Sequence, residues 1–241
     1  MKILIIRHGD PDYVNDALTE KGRVEAACLA ERLAKMDIKA FYVSPLGRAK
    51  ETASYTLKKM NREAEECLWL REFAARIIRP DRKRESIIWD WLPTDWTVEE
   101  KYYDRYDWAT TEILQDGKVK QEYDWVTQSF DQFLASYGYV REKNYYRVEQ
   151  ANQDTIVFFC HFGLECILLS HLLGVSPMTI LHGFCAAPTS VTTLITEERR
   201  KGVALFRING FGDISHLYAA KEEPAFAARF CETYESQERH D

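Results

Sequence analysis

Four apolar residues, Ile3 to Ile6, run without a break into Arg7-His8-Gly9. A short apolar run with three isoleucines suits a buried strand better than a helix. The period then lengthens. Thr19 reads as the N-cap of a helix reaching about Met36. Ala26, Leu29, Leu33 and Met36 fall on one face of it, and Lys21, Glu25, Glu31, Arg32 and Lys35 on the other. Ala40 to Val43 is a short strand, after which Ser44-Pro45 reads as an N-cap and first-turn proline. The helix so opened runs to about Met60 and carries Arg48 in its first turn. Cys67 to Leu70 reads as another strand, ending at Arg71-Glu72.

From Phe73 to Tyr146 aromatic and charged residues crowd together. Thr97 and Glu100 form a capping box that predicts a helix to about Thr110, and a second helix covers Glu122 to Ser136. Thr155 to Cys160 reads as a central strand ending at His161-Phe162-Gly163, with an apolar helix over Leu164 to Leu173. Ser176-Pro177 opens a helix to about Leu181. Ser190 to Thr196 and Val203 to Ile208 are strands joined by a charged hairpin, and a helix over Pro224 to Tyr234 closes the chain. Strands alternating with helices predict an α/β fold. No flexible linker or repeat divides the 241 residues, so a single domain is expected, with 73–150 as a helical cap inserted over one end of the sheet.

Composition narrows the partners. With 46% hydrophobic residues the chain can build a sizeable core, and a net charge of −6 argues against general nucleic-acid binding. No run approaches the roughly 18 apolar residues of a membrane span, and Arg7-His8 interrupts the first run too early for a signal peptide. The six cysteines lack CxxC spacing, which suits reduced thiols in a cytoplasmic protein. Oligomeric state is not legible.

Three strand ends carry polar groups: Arg7-His8-Gly9, Arg71-Glu72 and His161-Phe162-Gly163. Arg48, in a helix's first turn, is the fourth group. In open α/β sheets the crevice beyond the strands' carboxyl ends binds ligands. A guanidinium donates two parallel hydrogen bonds to two phosphate oxygens, and a helix N-terminus adds N–H groups and partial positive charge. A neutral imidazole can attack phosphorus, and a carboxyl group can protonate the leaving oxygen and later deprotonate water. The set therefore predicts phosphoryl chemistry on a small phosphorylated substrate, with no metal and no cofactor required. Taken alone, the tripeptide also reads as a turn with a surface histidine.

Arg7-His8-Gly9, Leu18-Thr19-Glu20-Lys21-Gly22 and Ser44-Pro45-Leu46-Gly47-Arg48-Ala49-Lys50-Glu51-Thr52-Ala53 resemble the histidine phosphatase superfamily, which includes the cofactor-dependent phosphoglycerate mutases. Leu70-Arg71-Glu72, His161-Phe162-Gly163 and Asp213-Ile214-Ser215-His216-Leu217 follow in the family's order. The resemblance implies a three-layer αβα sandwich on a mostly parallel sheet. It implies His8 as the nucleophile that becomes a phosphohistidine, and Glu72 as proton donor to the leaving group. Arg7, Arg48, His161 and the main-chain N–H of Phe162 are implied to bind the phosphoryl oxygens.

The chain also departs from the pattern. Phe162 stands where Gly often follows the second histidine, and Glu72-Phe73-Ala74-Ala75-Arg76 replaces the usual Gly-x-Trp-Glu-Gly continuation. Asp10 is the alternative proton donor. The stretch after Arg7-His8-Gly9 lacks the mutase pattern and reaches the first helix directly, favouring a phosphatase. The rival readings are a phosphoglycerate-mutase-type phosphotransferase and a non-catalytic phospholigand-binding module. The basic cluster Arg76, Arg79, Arg82, Lys83 and Arg84 is either a substrate-recognition element or a solvated loop.

Overall fold

A computed structural model of the chain describes residues 1–225, 230 and 232–236. Its eight-stranded sheet is built from β1 (Lys2–Arg7), β2 (Ala40–Val43), β3 (Glu65–Glu66), β4 (Tyr139–Glu142), β5 (Tyr145–Val148), β6 (Thr155–Cys160), β7 (Val191–Arg200) and β8 (Val203–Asp213). The spatial order is β3-β2-β6-β1-β7-β8-β5-β4. The half from β3 to β1 is parallel, and the half from β1 to β4 is antiparallel.

Alternation along the central strands builds two cores. Ile3, Ile5, Ile156 and Phe158 face one core, while Leu4, Ile6, Val157 and Phe159 face the other. In β1 and β6 the core-facing residues on both faces are buried, which is why these strands read as unbroken apolar runs. Helices α1 (Glu20–Leu33) and α2 (Gly47–Met60) supply the second core. Helices α3 (Val119–Ser136), α4 (Phe162–Leu173) and α5 (Pro177–Gly183) pack into the first, larger core. The result is the expected α/β sandwich of three layers. A last short helix, α6 (Ser215–Ala220), packs against α1.

Several expectations were displaced by tertiary context. Thr19 does cap α1, accepting from the Gly22 N–H. Glu25, placed on the polar face by periodicity, is fully buried there, because it accepts from the main-chain N–H groups of Asp10 and Ala225. Cys67 to Leu70 is no strand. The pairing strand is Glu65–Glu66, and Leu68–Leu70 winds into a 3₁₀ turn that carries Glu72 off the sheet. No helix runs from Thr97 to Thr110. Pro93 starts a short helix instead, and the Thr97 hydroxyl closes that helix by donating to the Pro93 carbonyl at 2.6 Å.

The 73–150 segment holds helices and also two hairpins. One pairs Ile77–Ile78 with Glu85–Ser86, and the other, β4–β5, joins the main sheet. The closing helix expected over Pro224 to Tyr234 falls partly outside the described residues, and those described within it are not helical. Cys28, Cys67, Cys160 and Cys166 are free thiols, and Cys231 lies outside the described residues. Among the described residues no helix is long and apolar enough to cross a membrane.

Candidate active site

The parallel register sets the site. Arg7 pairs with Cys160, so His8 and His161 leave adjacent strands at the same level. Their ring centroids lie 5.1 Å apart. Both residues are buried, at 2% and 0% exposure, as is Arg7 at 5%. Gly9 follows because a Cβ there would sit 2.8 Å from the Gly22 carbonyl oxygen of α1.

His8 Nδ1 lies 2.8 Å from the Gly9 carbonyl oxygen. A carbonyl only accepts, so the proton sits on Nδ1 and Nε2 keeps its lone pair. Burial first, then the charges of Arg7 and Arg48, hold the His8 pKa well below 6.5. His161 is likewise held well below 6.5, by burial first and then by His8 and the two arginines. Its Nε2 contacts the Ser44 hydroxyl at 2.7 Å, while its Nδ1 is buried without a partner.

Ser44 is therefore not the cap of α2. That cap is Leu46, which offers no side-chain acceptor, and the Asp16 carboxylate takes over by accepting from the Gly47 N–H at 2.6 Å. The same carboxylate holds Arg48 through Nη1 at 2.6 Å. A Cβ on Gly47 would lie 2.1 Å from the Asp16 carbonyl oxygen, so only glycine admits this approach. Arg7 donates through one Nη to the Ala186 carbonyl. The Nε of Arg7 and of Arg48 are both buried without partners. Two guanidinium groups near His8 thus each keep a buried N–H without a partner, and the adjacent imidazole keeps a ring nitrogen without one.

Glu72 completes the set. Its Oε1 accepts from the main-chain N–H groups of Phe73 at 2.9 Å and Leu164 at 3.0 Å. Loss of solvent raises its pKa above 4.5, against those two bonds and the charges of Arg48 and Arg7. His161 occupies the N-cap of α4, and Phe162 is its first residue. The N–H groups of Phe162 and Gly163 accordingly have no intrahelical carbonyl. A Cβ on Gly163 would meet the Trp89 ring at 2.6 Å and Glu72 Oε1 at 2.8 Å, so the glycine permits this close packing.

Of these residues Arg7, Arg48, Glu72 and Phe162 line a cleft of about 730 Å³ together with Tyr13, Leu46, Arg71, Phe73, Ala74, Arg76, Ile87, Trp89, Asp90 and Phe230. All five residues predicted to carry chemistry converge: His8 and His161 by ring contact, and Arg7, Arg48 and Glu72 as lining groups. Asp10 does not join them. Its carboxylate accepts from the Thr19 hydroxyl at 2.7 Å, locking the start of α1. The basic cluster divides. Arg79 is 1% exposed and braces Asp81 and the Trp89 carbonyl, Arg82, Lys83 and Arg84 are exposed, and only Arg76 lines the cleft. His216 bonds Thr189 beside the end of β8 and lies outside the lining.

Asp16 and Asp90 carry no individual signal in the sequence, whereas Arg71 stands out there only beside Glu72 at a predicted strand end. Ser44 reads along the chain as a helix cap and motif residue, and its hydroxyl serves a histidine over a hundred residues away.

Residues 3–209 match the model of the histidine phosphatase superfamily, branch 1. The chain belongs to this superfamily. Among its relatives is a 2,3-bisphosphoglycerate-dependent phosphoglycerate mutase of Thermoplasma acidophilum, 39% identical over 74 residues that span 26% of this chain and 37% of the mutase. Solved structures repeat the fold of this superfamily member across most of its length. A phosphoserine phosphatase of Entamoeba histolytica, in complex with phosphoserine, aligns with a TM-score of 0.56 at 19% identity, covering 90% of this chain and 98% of that one. A mycobacterial glucosyl-3-phosphoglycerate phosphatase aligns at 0.54 and 19%, covering 88% and 98%.

Proposed function

We propose that this superfamily member is a phosphomonoester hydrolase acting on a small phosphorylated metabolite through a phosphohistidine on His8. The observation that carries this reading is the unprotonated Nε2 of His8 facing a pocket of unpaired donors from Arg7, Arg48 and His161. In the first step Nε2 forms a bond to phosphorus as the bond to the leaving oxygen breaks, and Glu72 gives that oxygen its proton. In the second step the Glu72 carboxylate takes a proton from water. The water oxygen then bonds to phosphorus as the P–N bond breaks. Arg7, Arg48, the Phe162 N–H and His161 Nδ1 hold the equatorial oxygens throughout. The Ser44 hydroxyl, donating to His161 Nε2, keeps that ring's proton on Nδ1. No metal enters either step.

Rapid mixing with p-nitrophenyl phosphate tests the reading. A burst of p-nitrophenol and an acid-labile, base-stable phosphate label on His8 are expected. Turnover undiminished in His8→Ala refutes the nucleophile. The short stretch of mutase identity supports a second reading, a phosphoglycerate-mutase-type transfer. Incubation with 3-phosphoglycerate and the bisphosphate cofactor separates the two, because a mutase isomerises where a hydrolase releases phosphate. Binding of phosphorylated ligands with no turnover of any ester identifies a binding module instead.

A further inference from the structure

The wall from Arg71 to Arg76 contains more charge than phosphoryl transfer uses. Arg71, Glu72, Phe73, Ala74 and Arg76 all line the cleft. On the hydrolase reading Glu72 protonates the leaving oxygen, so the leaving group must lie along this wall. Arg71 is adjacent to Glu72, and its guanidinium is pre-positioned by α3. The Glu122 carboxylate accepts from its Nη2 at 3.0 Å, and the Trp125 ring lies under its Cζ at 5.0 Å. Only one of its three nitrogens is used in that contact, so other N–H donors remain for a ligand. Arg76 is exposed and has no ion-pair partner among the described residues.

Charge and space point the same way. The cleft's acidic side chains are Glu72 and Asp90, and loss of solvent raises the pKa of both. Four arginines line the same cleft in a chain whose net charge is −6. Two of them, Arg7 and Arg48, belong to the phosphate pocket. The volume of about 730 Å³ suits a whole small-molecule ligand, for which pockets run roughly 300–1,000 Å³.

We infer that Arg71 and Arg76 form a second oxyanion subsite, so that preferred substrates are phosphomonoesters whose leaving group carries its own carboxylate or phosphate. Phe73 and Trp89 add apolar surface to the same cleft. The inference deepens the hydrolase reading and rests on it for the direction of the leaving group.

Calorimetric binding tests the subsite without any turnover. 3-Phosphonopropionate carries the second anion and propylphosphonate lacks it. The wild-type protein is expected to bind the former at least about tenfold more tightly, in line with charge-assisted hydrogen bonds of roughly 1.5–3 kcal/mol. Arg76→Gln and Arg71→Met should each collapse that preference towards unity, Arg71→Lys should restore part of it, and exposed Lys83→Gln should leave it intact. Ethane-1,2-diylbisphosphonate, which replaces the carboxylate of 3-phosphonopropionate by a second phosphonate, shows in the same assay which anion the subsite prefers. No preference in the wild type, or one that survives both arginine variants, overturns the subsite. The hydrolase reading fails separately, by absence of turnover with p-nitrophenyl phosphate and with the matched pair 3-phosphoglycerate and glycerol 3-phosphate.

Discussion

Replacing Glu165 by Gln should make the protein more stable above neutral pH and no more stable in acid. Glu165 sits in the first turn of α4 at 1% exposure, and its Oε1 has no hydrogen-bond partner. Burial pushes its pKa from 4.5 up to about 7, against a hydrogen bond from Thr192 and the charge of Arg7. Between those values the native protein keeps a proton that the unfolded chain has lost. Stability is therefore full below pH 4.5 and falls as pH rises to 7, at about 1.4 kcal/mol per pH unit, for a total of about 3 kcal/mol. Glutamine removes this dependence but adds a buried N–H that lacks an acceptor, at a cost of roughly 1 kcal/mol. Urea denaturation followed by tryptophan fluorescence at pH 5 and pH 8 reads the difference. At pH 8 the variant should exceed the wild type by about 2 kcal/mol, and at pH 5, where the wild type has lost only about 0.7 kcal/mol of this stability, the two should be nearly equal. Glu25, also pushed to about 7, retains its own slope in both proteins. An equal stability difference at the two pH values would refute the reasoning.

Further outcomes follow from the same geometry. His8→Ala should lose more than about 1,000-fold in kcat, measured by phosphate release, because it removes the imidazole whose Nε2 is to bond phosphorus. Glu72→Gln should slow an alkyl phosphate at least about 100-fold and p-nitrophenyl phosphate much less, since nitrophenolate departs without a proton, and equal losses would argue against Glu72 as the acid. The acid limb of kcat/KM should not report His8, whose pKa is held well below 6.5, whereas the basic limb should follow Glu72, raised above 4.5, and vanish in Glu72→Gln. Gly163→Ala should cut kcat at least about tenfold while the fold persists by circular dichroism, because its Cβ pushes against Trp89 and Glu72 Oε1. Asp16→Asn should weaken inhibition by vanadate about tenfold by loosening Arg48, with kcat less affected than KM.

Much of this molecule is written locally. Unbroken apolar runs at Ile3 to Ile6 and Thr155 to Cys160 mark strands buried on both faces, and each ends at a histidine. Local chemistry also announced Thr19 as a cap, and it is one. Motif spacing brings Arg7, His8, Arg48, Glu72 and His161 into one list, and the fold sets the two imidazoles side by side within reach of the arginine charges, with Arg7, Arg48 and Glu72 lining the cleft. What periodicity misjudged shares a single cause. Glu25 is buried, Ser44 turns to His161, Thr97 ends a helix, and Asp10 holds Thr19, each because a partner distant in the chain or a local backbone carbonyl outbids the residue's average preference. Asp16 as the holder of Arg48 carries no pattern along the chain, and the motif that contains Arg71 does not reveal it as a lining cation. Their significance arises only when a loop and a cap helix arrive beside the strand ends. Strand identity and the reactive residue types depend on neighbours two to four positions away, so the sequence alone determined them. The protonation state of His8, the placing of Glu72 on the cleft wall while Asp10 is held by Thr19, and the division of the arginines depend on burial and on charges and partners brought together by folding. Those the tertiary structure alone decided, since desolvation and Coulomb interaction act through space, irrespective of distance along the chain.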